Sequence, residues 1–529
     1  MTILHSEEEH IVPVVVQKAT DGDGSSSTGG NDDGGGCIVA DGSTSCCHGI
    51  KQFFLYNSSI KVNQAFYLNQ FGRAMLFISF MFLSLGVLQL ANHQAGCPQN
   101  ANGSYTNCGN EVYGMQPSSM LAFMATIGGV ATSCVMPYIG AVVDFTDHRL
   151  AFGKVSALIL TFTNFLQIFI FQQTWFALVI LHGVVASATF MANSMVVWSY
   201  VSAPTDHDLH GVTASGRVWE VFGMVSFFLV VGAVQFGSGW DSVSVARFSQ
   251  ALATSVGGTS LFLAYKRYMP VKAVKILDKK ADGTDVNLYL AGIREFKATM
   301  TTLWKTDPGA SRFLLGSIFV EASISSFTNL AISYLSEQIQ MSATQITIFI
   351  VLNLVTNPIG IILHRTLARK VGHKRSYVGC IAYTLIVTPI MIGTIHSPQH
   401  ANMSFLFSVL FGVSFGWYYP SSNGYFVTLV PEEKVVELWG LNTFCSVILS
   451  WVPPLLFAVL NETTGNIRLG WIGVIIFEII GLSISLTIPE KKDTATSKTA
   501  RTASDVDEKD NNVDEEKGCD EPPPIVSIK

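Results

Sequence analysis

About twelve apolar runs follow one another along this chain, and each is long enough to cross a membrane as a helix. A helix needs roughly 20 apolar residues to span the hydrocarbon core. Because lipid satisfies no backbone hydrogen bonds, such a series predicts an all-α polytopic membrane protein. The predicted spans are 74–92, 118–143, 152–171, 176–201, 217–236, 246–265, 311–335, 341–363, 376–395, 403–429, 436–460 and 469–488.

Composition supports the same class. Apolar residues make up 49% of the 529 residues and charged residues 13%, which excludes an ordinary soluble multidomain protein. The net charge of -6 is mild and gives no reason to expect nucleic acid. We therefore predict the lipid bilayer and a small-molecule solute as the partners.

Sequence motifs for other kinds of chemistry are absent. There is no GxxxxGK[ST] or HExxH, so we expect neither an ATP-driven pump nor an enzyme. The nine cysteines include no CxxC pair, and we expect no metal or cofactor. The cluster Asp206-His-Asp-Leu-His210 is interpreted as a solvated loop, since one short group is weak support for a metal site.

The twelve spans divide into two sets of six. We predict bundles over 61–265 and 311–489, a basic cytoplasmic linker over 266–310, and disordered tails over 1–60 and 490–529, where Gly, Ser or charged residues dominate. One face of a linker helix would carry apolar residues, which predicts a helix in the membrane interface. A passive linker is the simpler alternative. The face comprises Tyr289, Ile293, Phe296, Met300 and Trp304, flanked by Lys297 and Lys305.

Loop residues predict the orientation. Lys and Arg concentrate in the even-numbered loops, which places both termini in the cytoplasm. N-glycosylation sequons at Asn102, Asn402 and Asn461 fall in odd-numbered loops, where glycosylation would occur. Cys97 and Cys108 flank Asn102, and an oxidising lumen would let them form a disulfide; two free thiols are the alternative.

Charged residues inside the spans are the first candidates for the solute site, because each costs about 3 kcal/mol in mid-membrane. Glu321 shares a helical face with Asn329 and is either a proton- or solute-coupling acid or a helix-packing contact. Arg217 and Glu220, three residues apart, either pair with each other or leave Arg217 to bind a carboxylate. Glu478 is interpreted as a contact with a neighbouring helix.

The stretch Gly140-Ala-Val-Val-Asp144-Phe-Thr-Asp147-His-Arg149 is a short charged turn between two spans. It resembles the loop between the second and third helices of the major facilitator superfamily, with a glycine, an acid four residues on and a closing base. The resemblance implies that Gly140, Asp144 and Arg149 form a conformational gate. A weaker copy, Gly372-His-Lys374-Arg375, follows span eight, as duplicated halves predict.

In that superfamily the first, fourth, seventh and tenth spans line the central cavity. The resemblance therefore implies that the polar stripes of spans four and ten face the solute. For His182 the alternative is a satisfied interior hydrogen bond, and for Tyr418 it is plain packing. The stripes comprise His182, Thr189, Asn193 and Tyr200 in span four, and Ser414, Tyr418, Ser421 and Tyr425 in span ten.

The last third carries a more specific pattern. Glu437-Leu-Trp-Gly440-Leu opens span eleven, Ser450-Trp451-Val-Pro-Pro454 lies inside it, and Thr464-Gly465-Asn-Ile-Arg468 follows. Together these resemble the autophagy-related vacuole effluxer-like family, a branch of the major facilitator superfamily, with Pro453 in place of the usual glycine.

This resemblance implies a secondary transporter that exports amino acids from vacuole or lysosome to cytosol by alternating access, linked to recycling after autophagy. Protons are the candidate coupling ion. Two alternatives stay open: a plasma-membrane carrier for sugars or organic ions, and a non-transporting receptor or scaffold.

Overall fold

The computed structural model describes residues 60–100, 105, 109–201, 206–268, 287–430 and 435–489. The predicted tails, Asn102 and Cys108 lie outside this part of the chain. The first half contains six long helices: α1 Lys61–Gln94, α2 Pro117–Phe145, α3 Arg149–Phe169, α4 Trp175–Trp198, α5 Asp206–Ser238 and α6 over 242–265.

The second half begins with a linker helix and continues with the remaining spans. The helices are α7 Leu288–Thr306, α8 Pro308–Glu337, α9 Ala343–Val371, α10 His373–Thr394, α11 Ala401–Leu429, α12 Val435–Val447, α13 Val452–Thr464 and α14 Ile472–Leu486. Within the described residues, 11 helical stretches are long and apolar enough to cross a membrane. The remaining predicted span, α6, carries Arg247 and Gln250, whose polarity lowers its mean hydropathy. The all-α polytopic prediction is confirmed.

The helices pack in two groups. In the first, α1 packs against α5 and α6, and α4 packs against α2 and α3. In the second, α8 packs against α14, while α11 packs against α9 and α10. Glycine makes the closest of these contacts possible: a Cβ on Gly416 of α11 would lie 1.9 Å from the Asn357 carbonyl oxygen of α9.

Two predicted elements differ from the structure. Asp206 to His210 form the first turns of α5 rather than a loop, because the helix extends well beyond its apolar run. Span eleven is two helices, since residues 448–451 form a turn between α12 and α13. Prolines follow this turn in the first positions of α13, where no helical N–H is needed.

The linker helix α7 lies against both groups. Gly292 packs so closely on α2 that an added Cβ would lie 2.1 Å from the Pro137 carbonyl oxygen. Phe296 packs edge-to-face against Phe444 of α12, with ring centroids 4.5 Å apart. Tyr289 and Trp304, from the predicted apolar face, stay exposed on the protein surface. We call the end of the helices joined by α7 the linker end, and the other the opposite end.

Candidate solute-binding site

A pair of opposite charges lies on α5, near the linker end. Arg217 Nη1 donates to Glu220 Oε2 at 2.7 Å, so the predicted pairing is present. The Arg217 guanidinium also lies over the ring of Tyr419 on α11, 5.1 Å from its centroid. A residue of the first group of helices therefore contacts the second group directly.

Glu321 lies near the middle of α8 and faces the same charges. Tyr418 Oη of α11 donates to Glu321 Oε1 at 3.1 Å. Arg217 interacts electrostatically with Glu321 across the two groups of helices. We call Arg217, Glu220, Glu321, Tyr418 and Tyr419 the charged network.

Arg73 of α1 is the residue that sequence reasoning missed. Its side chain is 8% exposed, and its guanidinium lies 5.1 Å from the Phe190 ring centroid. Nη1 donates to Ser194 Oγ of α4 at 2.5 Å, and Nη2 to Gln70 Oε1. The predicted span began at residue 74, which left Arg73 outside the membrane. The signal that could have found it is the helical spacing of Gln70 and Arg73 ahead of the apolar run.

The span-four candidates lie inside the first group of helices. His182 stacks on Phe80 of α1, with ring centroids 5.1 Å apart, and opens a π-helical turn, a feature frequent at functional sites. Asn193 Nδ2 donates to Tyr265 Oη of α6 at 2.8 Å. Tyr265 neighbours Tyr268, and burial raises the pKa of the Tyr268 phenol well above its ordinary value, so the hydroxyl keeps its proton. In this structure His182 and Asn193 make contacts within one group of helices.

Two other candidates lie near Glu321 without joining the charged network. The Ser421 hydroxyl is buried and donates to the Tyr418 carbonyl of its own helix. Asn329 is half-buried two turns further along α8. Beside it, a mainly apolar cavity lies between α1, α8, α9 and α11, lined by Met81, Phe327, Thr328, Phe349, Asn353 and Phe415, among others.

The structure places the three residues of the predicted gate at the end of α2 and the start of α3. Gly140 lies inside α2, which continues to Phe145, so this glycine does not open a turn. Arg149 is buried, and both Nε and Nη2 donate to the Val143 carbonyl oxygen, at 3.0 and 2.6 Å. Its guanidinium therefore caps the end of α2, where four carbonyls lack helical partners. Asp144 is half-buried and has interaction partners.

The motif residues of the last third contact three different helices, α2, α4 and α10. A Cβ on Gly440 would lie 3.5 Å from Met195, and one on Gly129 of α2 would lie 2.8 Å from Trp451. Ser450 lies in the turn before α13, Pro454 is buried, and Arg468 donates to the Ile392 carbonyl at 3.0 Å. Glu437 belongs to α12, and its side chain is outside the described part.

Glu478 of α14 is 2% exposed and accepts a hydrogen bond from Ser323 Oγ of α8 at 3.2 Å. The predicted contact with a neighbouring helix is present. Because residues 321 and 323 point to different sides of α8, Glu478 lies away from the charged network.

At the opposite end, Asn461 joins the two groups of helices. Its Nδ2 donates to Ser118 Oγ at 3.0 Å and Ser119 Oγ at 2.8 Å, both on α2. Asn461 lies inside α13 and is 2% exposed, so the predicted loop sequon is wrong here and the position does not fit a glycosylated asparagine. Asn402 is exposed in the first turn of α11. Cys97 is disulfide-bonded, while a bond to Cys108 stays a prediction.

Glycan mapping tests this placement. We expect Asn461→Gln to leave the electrophoretic mobility of the protein unchanged, because the nitrogen that would carry the glycan is buried and hydrogen-bonded. Asn402→Gln is the matched control, and its exposed side chain is expected to give a glycosidase-sensitive shift. A glycosidase-sensitive shift in the Asn461 variant would contradict the buried position.

Comparison with known proteins agrees with this architecture. The family described as "Vacuole effluxer Atg22 like" matches residues 207–498. The chain is 26% identical over 186 residues to the Uncharacterized MFS-type transporter YxiO of Bacillus subtilis, covering 35% of this chain and 42% of that protein. It is 22% identical over 192 residues to Autophagy-related protein 22 of Cryptococcus neoformans, covering 34% of this chain and 33% of that protein. The matches thus span less than half of these curated relatives.

Solved structures share the fold. The nucleoside transporter NupG has a TM-score of 0.52 at 12% identity, covering 81% of this chain and 100% of that one. An auto-inhibited POT family peptide transporter has a TM-score of 0.52 at 14% identity, covering 80% of this chain and 96% of that one. At such identities the likeness concerns the fold alone.

The long apolar helices in two groups and the likeness to these proteins give the chain the fold of a membrane transporter of the major facilitator type. Because the family match covers more than half of the chain, the protein belongs to the Atg22-like vacuole effluxer family.

Proposed function

We propose that this protein exports amino acids from the vacuole or lysosome to the cytosol by alternating access, with the charged network as its solute site. The observation that carries the proposal is that Arg217 of α5 lies over the ring of Tyr419, next to the Tyr418 that donates a hydrogen bond to Glu321 of α8. An amino acid needs one cationic and one anionic contact, and this arrangement offers both from different groups of helices.

The chemistry of the network suits a zwitterion. An arginine fork binds a carboxylate through two parallel hydrogen bonds, and a carboxylate binds an ammonium group. The apolar cavity begins about 9 Å along α8 from Glu321, at about 1.5 Å per residue, and would accept an apolar side chain. A sugar carries no ionised group and would leave these charges uncompensated, which favours an amino acid over a sugar.

Contacts at both ends support alternating access. At the linker end, Trp198 of α4 packs against Trp439 of α12, with ring centroids 4.9 Å apart. At the opposite end, Asn461 of α13 bonds to α2. Release of solute to one side requires that one of these contacts opens while the other holds. The proposed gate therefore rests on these contacts rather than on Gly140 and Arg149.

Family membership supports the vacuolar location, and the distribution of basic loop residues supports cytoplasmic termini. The competing plasma-membrane carrier is tested by the location of a fluorescent fusion. The receptor or scaffold alternative predicts that deletion of the tails, and not substitution of the charged network, abolishes function.

Transport in proteoliposomes tests the site. Glu321→Gln is expected to lower the rate of pH-gradient-driven amino-acid transport at least about tenfold, the factor that corresponds to about 1.4 kcal/mol. The amide can neither bind an ammonium group as an anion nor take up a proton, so the remaining transport should also lose its pH dependence. Radiolabelled amino-acid flux at several pH values measures both effects.

Glu478→Gln is the matched control, since this buried acid bonds to Ser323 away from the charged network. We expect its flux to stay near that of the wild type. Unchanged pH-dependent flux in the Glu321 variant would remove this acid from the mechanism, and equal losses in both variants would indicate a structural effect.

A further inference from the structure

Arg73 carries a buried positive charge that the charged network does not use. It lies within α1 and is 8% exposed. Among the described side chains, no carboxylate lies within ion-pair distance of Arg73. Glu220 forms its ion pair with Arg217 instead. A buried cation is normally paired with an anion, because removing an unpaired charge from water is costly.

The groups that contact Arg73 are neutral. Ser194 and Gln70 accept its hydrogen bonds, and the face of Phe190 lies beside it. These contacts fix the direction of the guanidinium but supply no negative charge. Glu220 acts on Arg73 only at longer range, and Arg217 opposes it with a positive charge.

Buried polar atoms without partners lie in the same region of the first group of helices. Asn193, next to Ser194, has an unbonded Oδ1, and the hydroxyls of Tyr200 and Tyr268 also lack partners in the part of the chain that the structure describes. Tyr265 connects them, since it accepts from Asn193 and interacts electrostatically with Arg73. Such atoms are normally satisfied by water or by a ligand.

We propose that Arg73 is an anion subsite that binds the carboxylate of the transported solute together with Arg217, whose charge acts on Arg73 from α5, while Ser194 holds the Arg73 guanidinium in place. The inference rests on the proposed function and assigns the two ends of the solute to different groups of helices. Arg73 and Arg217 bind the carboxylate from the first group, and Glu321 binds the ammonium from the second. A solute that lacks one of these charges then contacts only one of the two groups of helices.

Ligand-dependent thermal stability of the purified full-length protein tests this assignment without relying on flux. The probes are L-leucine and L-leucinamide, which differ only in the carboxylate, in a chloride-free buffer without carboxylate anions. We expect the wild type to bind leucine at least about tenfold more tightly than leucinamide, the factor that corresponds to about 1.4 kcal/mol. In Arg73→Gln this ratio should fall at least about threefold because Arg217 alone remains, whereas leucinamide affinity should stay unchanged.

Ser194→Ala keeps the charge and removes only one hydroxyl, so it covers the case in which the Arg73 variant fails to fold. We expect it to reduce the ratio partly. The inference is overturned if the wild type binds both probes equally, if the ratio survives in Arg73→Gln, or if sodium chloride stabilises the wild type and leucine adds nothing. Leucine discrimination that survives in Arg73→Gln but is lost in Arg217→Met overturns the inference and leaves the proposed function standing. Failure of the wild type to bind either probe counts against both proposals.

Discussion

An Arg217→Met variant is expected to lose transport completely and to unfold at a lower temperature than the wild type. Methionine fills a similar length but leaves Glu220 without the donor that lies 2.7 Å away. It also removes the cation from the face of Tyr419 and from the surroundings of Glu321. Removal of one partner from a fully buried pair costs about 3–5 kcal/mol; since Arg217 is partly exposed, we expect about 2 kcal/mol here.

The double variant Arg217→Met with Glu220→Gln separates the two losses. With no unpaired carboxylate left, we expect most of the thermal stability to return while transport stays absent. Thermal unfolding in detergent and amino-acid flux in proteoliposomes give the two readouts. Wild-type flux in the single variant would show that Arg217 does not contact the solute.

Gly416→Ala is expected to disrupt the packing of α11 against α9. The added Cβ would lie 1.9 Å from the Asn357 carbonyl oxygen and 2.7 Å from its carbon. Both atoms are backbone, so no side-chain rotation relieves the overlap and the two helices must separate. We expect a loss of about 3 kcal/mol or more, at the upper end for overpacking, and little folded protein in the membrane.

Gly393→Ala is the matched control, because this helical glycine of α10 has no atom within 4 Å of the added Cβ. There we expect stability to stay the same or rise by up to about 1 kcal/mol, since alanine favours the helix. Size-exclusion profiles and thermal unfolding compare the two variants. Equal stability of both would contradict the close contact at Gly416.

Local features of the sequence predicted local features of the structure. The pairing of Arg217 with Glu220 followed from their spacing on one helix, and the apolar runs located the spans because hydropathy belongs to each segment by itself. In two places where the prediction failed, a polar residue at the edge of an apolar run was involved. Arg73 fell just outside an apolar run, and Asn461 was placed in a loop although it lies inside α13.

Hydropathy and composition were enough to predict an all-α membrane protein, and the motifs indicated the family to which it belongs. Which polar side chains meet could be read only from the packed helices: Glu321 is bonded to Tyr418, and Arg149 caps α2. Contacts between helices depend on how each helix is rotated and tilted against its neighbours, and the hydropathy of a single segment does not fix this.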